Sequence, residues 1–146
     1  MHVHDLLERK PVNLITVGPD AHLGAAVRLL VTHYIGALPV VDASGTLVGM
    51  LDERDVVRAT HERFYSFDRL RVRDVMHSAP TCDEGDTIEE AMLRMTLERQ
   101  RHLLVTSGGA VRGVISLGDL VKARLQQVET EAGVLRDYVA AHRASR

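Results

Sequence analysis

Two segments of this 146-residue chain carry an acid in the same setting. Asp55 closes Gly49-Met50-Leu51-Asp52-Glu53-Arg54-Asp55 and is followed by Val56-Val57; Asp119 closes Gly113-Val114-Ile115-Ser116-Leu117-Gly118-Asp119 and is followed by Leu120-Val121. In each, an apolar run reading as a strand ends on a polar residue that opens a helix, with the acid one turn inside. A helix entrance offers unpaired N–H groups and partial positive charge, which attract a phosphate. Ser116 adds a hydroxyl donor, Gly118 leaves space, and Asp119 can accept two hydrogen bonds from a ribose diol. The same residues also spell a helix cap, with Ser116 as cap and Asp119 near the dipole. A single copy favours capping; recurrence weakens that preference.

The elements around these acids recur too. Asp55 and Asp119 are 64 residues apart, and Leu38 and Leu103, Thr16 and Thr81, and Ala26 and Ala91 are each 65 apart. Self-similarity at a fixed period fixes the architecture before any local reading does. Each repeat reads as strand, helix, strand, strand, helix. In the first, residues 13–17 form a short strand and Gly18-Pro19-Asp20 a turn. Leu23, Ala26, Val27, Leu30 and Tyr34 give a helical apolar face, stopped by Gly36. Residues 38–41 and 47–51 form a hairpin through Asp42-Ala43-Ser44-Gly45, and Asp52 opens a helix to about Thr60. In the second, Thr87-Ile88-Glu89-Glu90 is a capping box, and Ile88, Ala91, Met92 and Met95 form the buried face. Residues 103–105 and 111–115 are strands joined through Gly108-Gly109, and the closing helix spans 117–125. A lead-in, Val3-His4-Asp5-Leu6-Leu7 or Val72-Arg73-Asp74-Val75-Met76, precedes each repeat.

The predicted fold is α/β (α+β): two βαββα repeats packed sheet to sheet about a pseudo-twofold, plus a C-terminal helix. Repeat one with its lead-in spans 1–62, a linker 63–71, repeat two with its lead-in 72–125, and the C-terminal helix and tail 126–146. Neither repeat alone is long enough to bury much apolar surface, so each needs the other. Leu125, Val128, Ala132, Leu135, Val139 and His142 alternate steps of three and four, a short heptad seam. It either packs on its own domain or joins a second copy.

Bulk composition excludes several classes. A 45% hydrophobic and 26% charged chain of net charge −2 suits a globular fold and offers no strong field for nucleic acid. Five aromatics, not interleaved with basic residues, do not build a base-stacking platform. No apolar stretch reaches the ~20 residues needed to span a bilayer. The single cysteine, Cys82, suits a reducing compartment, and a cytoplasmic location is expected. The eight histidines show no paired-ligand spacing beyond His2 and His4, so no metal site is expected. Cys82 reads as a half-buried apolar residue rather than a redox sensor. Arg69, Arg71 and Arg73 read as a solvated face. No Gly-x-Ser-x-Gly elbow, phosphate-binding Walker loop or His-Glu-x-x-His motif is present, and no catalytic residue or catalytic cofactor is expected.

The ordered set, present twice, resembles a tandem pair of CBS domains (cystathionine-β-synthase-type domains, a Bateman module). The matching pieces are Thr16-Val17 and Thr81-Cys82, residues 36–42, Arg101-His102-Leu103-Leu104-Val105, residues 49–55 and residues 113–119. The tail resembles that of small stand-alone bacterial members. The resemblance implies a non-enzymatic regulatory module that binds an adenine nucleotide between its repeats and senses energy or redox state. AMP is the foremost ligand, with ADP, ATP, NAD(H) and S-adenosylmethionine also precedented. It implies a homodimer and a regulated protein partner, while the composition above leaves no nucleic acid and no membrane partner expected. In the better site Asp119 holds the ribose and Ser116 the phosphate, bordered by Thr81, Arg101, His102 and Leu103. The weaker site uses Asp55 for the ribose, with Arg54, Thr16, Gly36, Ala37 and Leu38. Two positions depart from the pattern. Asp52 stands where Ser or Thr is usual and repels a phosphate unless Arg54 compensates. Leu104 stands where Pro39 sets the pattern. A dimeric interaction module with vestigial clefts, and a redox or metal sensor through Cys82 and His102, are the alternative readings.

Overall fold

Two hairpins form the centre of the molecule, and each carries its helices on one side. The computed structural model describes residues 1–10 and 14–145. In chain order the elements are α1 (Val3–Glu8), α2 (Leu23–His33), β1 (Ala37–Val41), β2 (Leu47–Asp52), α3 (Glu53–Glu62), a 3-10 segment (Phe64–Arg69), α4 (Val72–Val75), β3 (Thr81–Asp83), α5 (Ile88–Glu98), β4 (His102–Ser107), β5 (Ala110–Ser116) and α6 (Leu117–Ala144). β1 and β2 pair antiparallel, with Leu38 opposite Leu51. β4 pairs antiparallel with β5 and parallel with β3.

The first strand of repeat one is smaller than expected. Of its described residues only Val17 pairs, as a single parallel bridge to Val40; Asn13 lies outside the described residues. Pro39 supplies the reason. In repeat two the Leu104 N–H donates to the Pro80 carbonyl and extends the β3–β4 ladder. Pro39 is the position equivalent to Leu104 and has no N–H to donate. The departure of Leu104 from the repeated pattern therefore strengthens its sheet.

Helix α2 buries Leu23, Ala26 and Leu30. Tyr34, expected on that face, is instead 96% exposed and caps the helix in the left-handed conformation at φ 52°. The chain thus leaves the helix two residues before Gly36. Arg99, 65 residues on, ends α5 the same way at φ 53°.

The lead-ins change places. Val3 and Leu6 of α1 pack in the core of repeat two, with Cys82, Ile88, Leu103, Ile115 and Leu120. Leu70, and Val72 of α4, pack in the core of repeat one, with Leu23, Leu38, Leu51 and Ala59. His2 bridges Thr87, and Arg71 bridges His22, at matching places. Each repeat is thus completed by the segment leading into the other, where a simple sequential division assigned each lead-in to the repeat it precedes. The sheets meet at Ala37, Met50 and Leu104.

The expected closing helix and C-terminal helix are one uninterrupted helix, α6, of 28 residues and about 42 Å. Only its first turns are anchored, through Leu120 and Ala123. Leu125, Val128, Leu135 and Val139 are 42–63% exposed. The heptad seam therefore does not lie on its own domain.

Candidate ligand clefts between the repeats

Each repeated acid sits at the third position of its helix, and both close a reciprocal cap. At α6 the Asp119 N–H donates to Ser116 Oγ at 3.1 Å, and the Ser116 N–H donates to Asp119 Oδ2 at 2.9 Å. At α3 the Asp55 N–H donates to Asp52 Oδ1 and the Asp52 N–H to Asp55 Oδ2, both at 2.9 Å. Capping is therefore part of what these residues do, and it leaves unequal remainders. The Ser116 hydroxyl accepts from the backbone yet keeps its own proton to donate; the Asp52 carboxylate has none.

A basic side chain reaches each acid from the exchanged lead-in, Lys10 as a cation and His77 as a cation when its imidazole is protonated. Lys10, two residues beyond α1, places Nζ 2.6 Å from Asp119 Oδ2 and donates also to the Val114 carbonyl at 3.0 Å. His77, two residues beyond α4, places Nδ1 2.7 Å from Asp55 Oδ2. Arg58 approaches Asp55 Oδ1 at 3.7 Å. The Asp119 side chain is 28% exposed, that of Asp55 only 4%. Burial alone pushes the Asp119 carboxyl up, but Lys10 and the Ser116 cap outweigh it and hold it below the usual range. The hydrogen bond to Asp55 raises His77 above the usual imidazole value, with burial opposing.

Two cavities flank this arrangement. The first, about 670 Å³, runs along α6 and takes its wall from repeat two and α6 alone, including Arg101, His102, Ser116, Gly118, Val121 and Lys122, rather than from both repeats as expected. The second, about 550 Å³, lies between the repeats and draws Gly36, Arg54, Asp55 and Arg58 from the first and Arg99 and Arg101 from the second. Asp52, Glu53, His77 and His102 complete its charged wall, so four arginines face three acids. His102 stands in both walls, packed so closely on Gly36 that a Cβ there would lie 2.8 Å from the imidazole. Burial lowers the His102 pKa, favouring the neutral ring.

Of the residues expected at the better site, Arg101, His102 and Ser116 line the first cavity. Asp119, expected to hold the ribose there, lines neither cavity; its carboxylate is turned to Lys10. Thr81 lines neither cavity; its carbonyl accepts from Arg94. Leu103 is wholly buried in the core of repeat two. At the weaker site Gly36, Arg54 and Asp55 line the second cavity. Thr16 lies exposed outside it, while Ala37 and Leu38 are buried in the sheet.

Lys10 and His77 were not singled out in the sequence. One signal was available: each follows its lead-in helix by the same two residues. Asp52, Asp55 and His77 bring one donor atom each within 4.8 Å of one another, a spacing that suits a cation. Asp52 and Asp55 already accept cap hydrogen bonds, and Arg58 supplies positive charge beside them. Cys82 is buried, its thiol pushed up to about 11 by desolvation, which leaves it unreactive near neutral pH. Among the described residues no helix is long and apolar enough to cross a membrane.

The family model for the CBS domain matches twice, over residues 3–62 and 72–126. The chain belongs to the CBS-domain family. A CBS-domain containing protein from Agrobacterium tumefaciens is 40% identical and superposes with a TM-score of 0.81, over 84% of this chain and 92% of that one. The protein CBSX2, solved in complex with AMP, is 27% identical with a TM-score of 0.71, over 86% and 97%. Inosine-5'-monophosphate dehydrogenase from Methanocaldococcus jannaschii is 33% identical over 114 residues, which is 77% of this chain but 22% of the dehydrogenase. The chain thus spans about a fifth of that CBS relative.

Proposed function

We propose that this CBS pair is a regulatory module that binds an adenosyl ligand, AMP foremost, in the clefts beside its two repeated acids and performs no bond chemistry. The observation that carries the reading is the repeated acid at the third position of a helix in both halves, with Asp55 in the wall of a charged cavity and Asp119 directly after Ser116 and Gly118, which line the other. Such a carboxylate accepts from a ribose diol, while Ser116 and the arginines offer donors to phosphate oxygens. The AMP complex of CBSX2 supports the ligand class. Asp55 and Asp119 are tied to caps and cations rather than poised against a nucleophile, which suits binding. Occupancy acts on a protein partner only if the ligand prefers one arrangement of the repeats.

A thermal-shift series with AMP, ADP, ATP, NAD(H) and S-adenosylmethionine tests this. A true ligand at 100 times its Kd adds about 2.7 kcal/mol of stability. Asp119→Ala, scored by the loss of the ligand-induced shift relative to its own baseline, removes most of that gain at the α6 cleft. No shift with any of the five rejects the reading.

The exposed seam of α6 favours a second role for the module, as an interaction unit that pairs with a second copy. Sedimentation of wild type against Leu135→Glu tests it: loss of a dimer supports pairing through α6, and an unchanged mass excludes it. A dimer that responds to no nucleotide would make pairing the whole function.

A further inference from the structure

The two acids share a detail that capping does not require. On both, one oxygen, Oδ2, takes two donors: the cap N–H at 2.9 Å and the lead-in cation at 2.6 or 2.7 Å. A vicinal diol grips a carboxylate through both oxygens. It must therefore compete for Oδ2 with Lys10 at one cleft and His77 at the other. Neither cation is free-standing. Lys10 follows α1, whose Val3 and Leu6 are buried in repeat two, and its ammonium also holds the Val114 carbonyl of β5. His77 is pinned by paired backbone hydrogen bonds to Met50, at 2.9 and 3.0 Å.

We propose that Lys10 and His77 are built-in counter-ions occupying the diol position of each cleft, so that a ribose-bearing ligand must displace them and thereby loosens the exchanged lead-ins. This rests on the reading of the clefts as adenosyl sites and adds how they are gated. The two gates differ in stiffness. Lys10 hangs on a flexible stem, 37% exposed, and can swing to solvent. His77 is held by its own backbone in the wall of the second cavity, with Arg58 on the other carboxylate oxygen. The α6 cleft therefore opens first.

The test is calorimetric titration of AMP, and of 2',3'-dideoxy-AMP, into wild type and Lys10→Met, which keeps the stem and removes the charge. The gate predicts that Lys10→Met binds AMP roughly 5-fold tighter, the worth of a partly exposed ion pair. It also predicts no such gain with the dideoxy probe, which lacks the competing hydroxyls. Hydrogen exchange in residues 3–10 of wild type should quicken on AMP addition. Weaker AMP binding by Lys10→Met makes Lys10 a ligand contact and overturns the gate. Equal affinity, or a gain that persists with the dideoxy probe, overturns it too. Those outcomes leave the adenosyl reading standing, whereas AMP binding to neither chain rejects both. Circular dichroism of Lys10→Met against wild type excludes a folding defect as the cause.

Discussion

The Asp55 and Asp119 clefts are copies of one design finished differently. Each has an acid at the third helical position, a reciprocal cap and a cation on Oδ2. At Asp119 the cap is a hydroxyl, the cation a flexible lysine, and the carboxylate remains over a quarter exposed. At Asp55 the cap is a second carboxylate, the cation an imidazole fixed by its backbone, and the acid is almost fully buried. Duplication sets where the acid stands. The cap residue and the lead-in cation, the latter supplied from outside the repeat it serves, set how open and how charged the site is.

Removing each acid should break the symmetry most visibly. Asp55→Ala leaves His77 Nδ1 and the Asp52 N–H without their buried acceptor and should cost about 2 to 3 kcal/mol, in the range for stranding a polar group whose partner is removed. Asp119→Ala loses a cap and a partly exposed ion pair, about 1 kcal/mol. Urea unfolding of the two variants checks the ranking. Equal losses would mean that burial at Asp55 does not govern its energetics.

The glycines where the lead-ins cross the sheets sharpen the contrast. Gly49 and Gly113 hold equivalent places on β2 and β5. A Cβ at Gly49 would lie 2.9 Å from the His77 carbonyl, a backbone atom locked to Met50. At Gly113 it would lie 2.8 Å from a terminal methyl of Leu7, which can rotate aside. Gly49→Ala should therefore cost about 2 kcal/mol and Gly113→Ala under ~1 kcal/mol, read by thermal unfolding. The reverse order would show that the lead-in of repeat one is the firmer of the two.

Much of this was legible beforehand. The period of 64–65 residues gave two repeats, their hairpins and the helix-opening acids, because strand alternation and capping are local patterns. The exchange of lead-ins was not, since Val3-His4-Asp5-Leu6-Leu7 shows an apolar face without showing which core receives it. His77 hid among eight histidines because its partner is 22 residues away and the spacing carries no signature. Tyr34 fitted the apolar stripe of α2, but the helix ends a residue earlier and turns it outward. The recurrence of a left-handed residue at Arg99 shows that this ending belongs to the repeat, not to Tyr34. The cavities' shared wall at Arg101 and His102 was partly visible, as those residues stood in the matching motif; Arg58 and Arg99 required the folded chain to be brought alongside.

The two cations should separate in pH. His77 is raised by Asp55, with Asp52 reinforcing and Arg58 opposing. A group whose folded pKa is raised stabilises fully below its unfolded value of 6.5, and that contribution is lost as pH rises through the folded value. Asp119 is held down instead, so its contribution is full above 3.8 and lost only as pH falls through its folded pKa. The difference in melting temperature between wild type and His77→Asn should thus shrink from pH 6 to pH 9, by an amount corresponding to about 1 kcal/mol. That between wild type and Lys10→Met should stay level over the same span. Burial of His102 works in the opposite sense, favouring the neutral ring, and comparing each variant with wild type cancels it. A His77→Asn difference that grows with pH would contradict the pairing with Asp55.

The smallest effect on stability carries the most about ligand choice. Asp52 and Ser116 are both good caps, so Asp52→Ser should change stability by less than ~0.5 kcal/mol. It replaces a carboxylate without a proton by a hydroxyl that can cap the helix and still donate to a phosphate oxygen. The second cavity already gathers Arg54, Arg58, Arg99 and Arg101, so the substitution removes one of the three wall carboxylates that repel a phosphate, the one at the cap itself. AMP affinity at the Asp55 cleft should rise, while adenosine, which has no phosphate, gains nothing; titration of both ligands into the variant decides it. An equal gain for both would mean that Asp52 acts on the sugar through its cap to Asp55, and the division of labour between the two clefts would then rest on the lead-in cations alone.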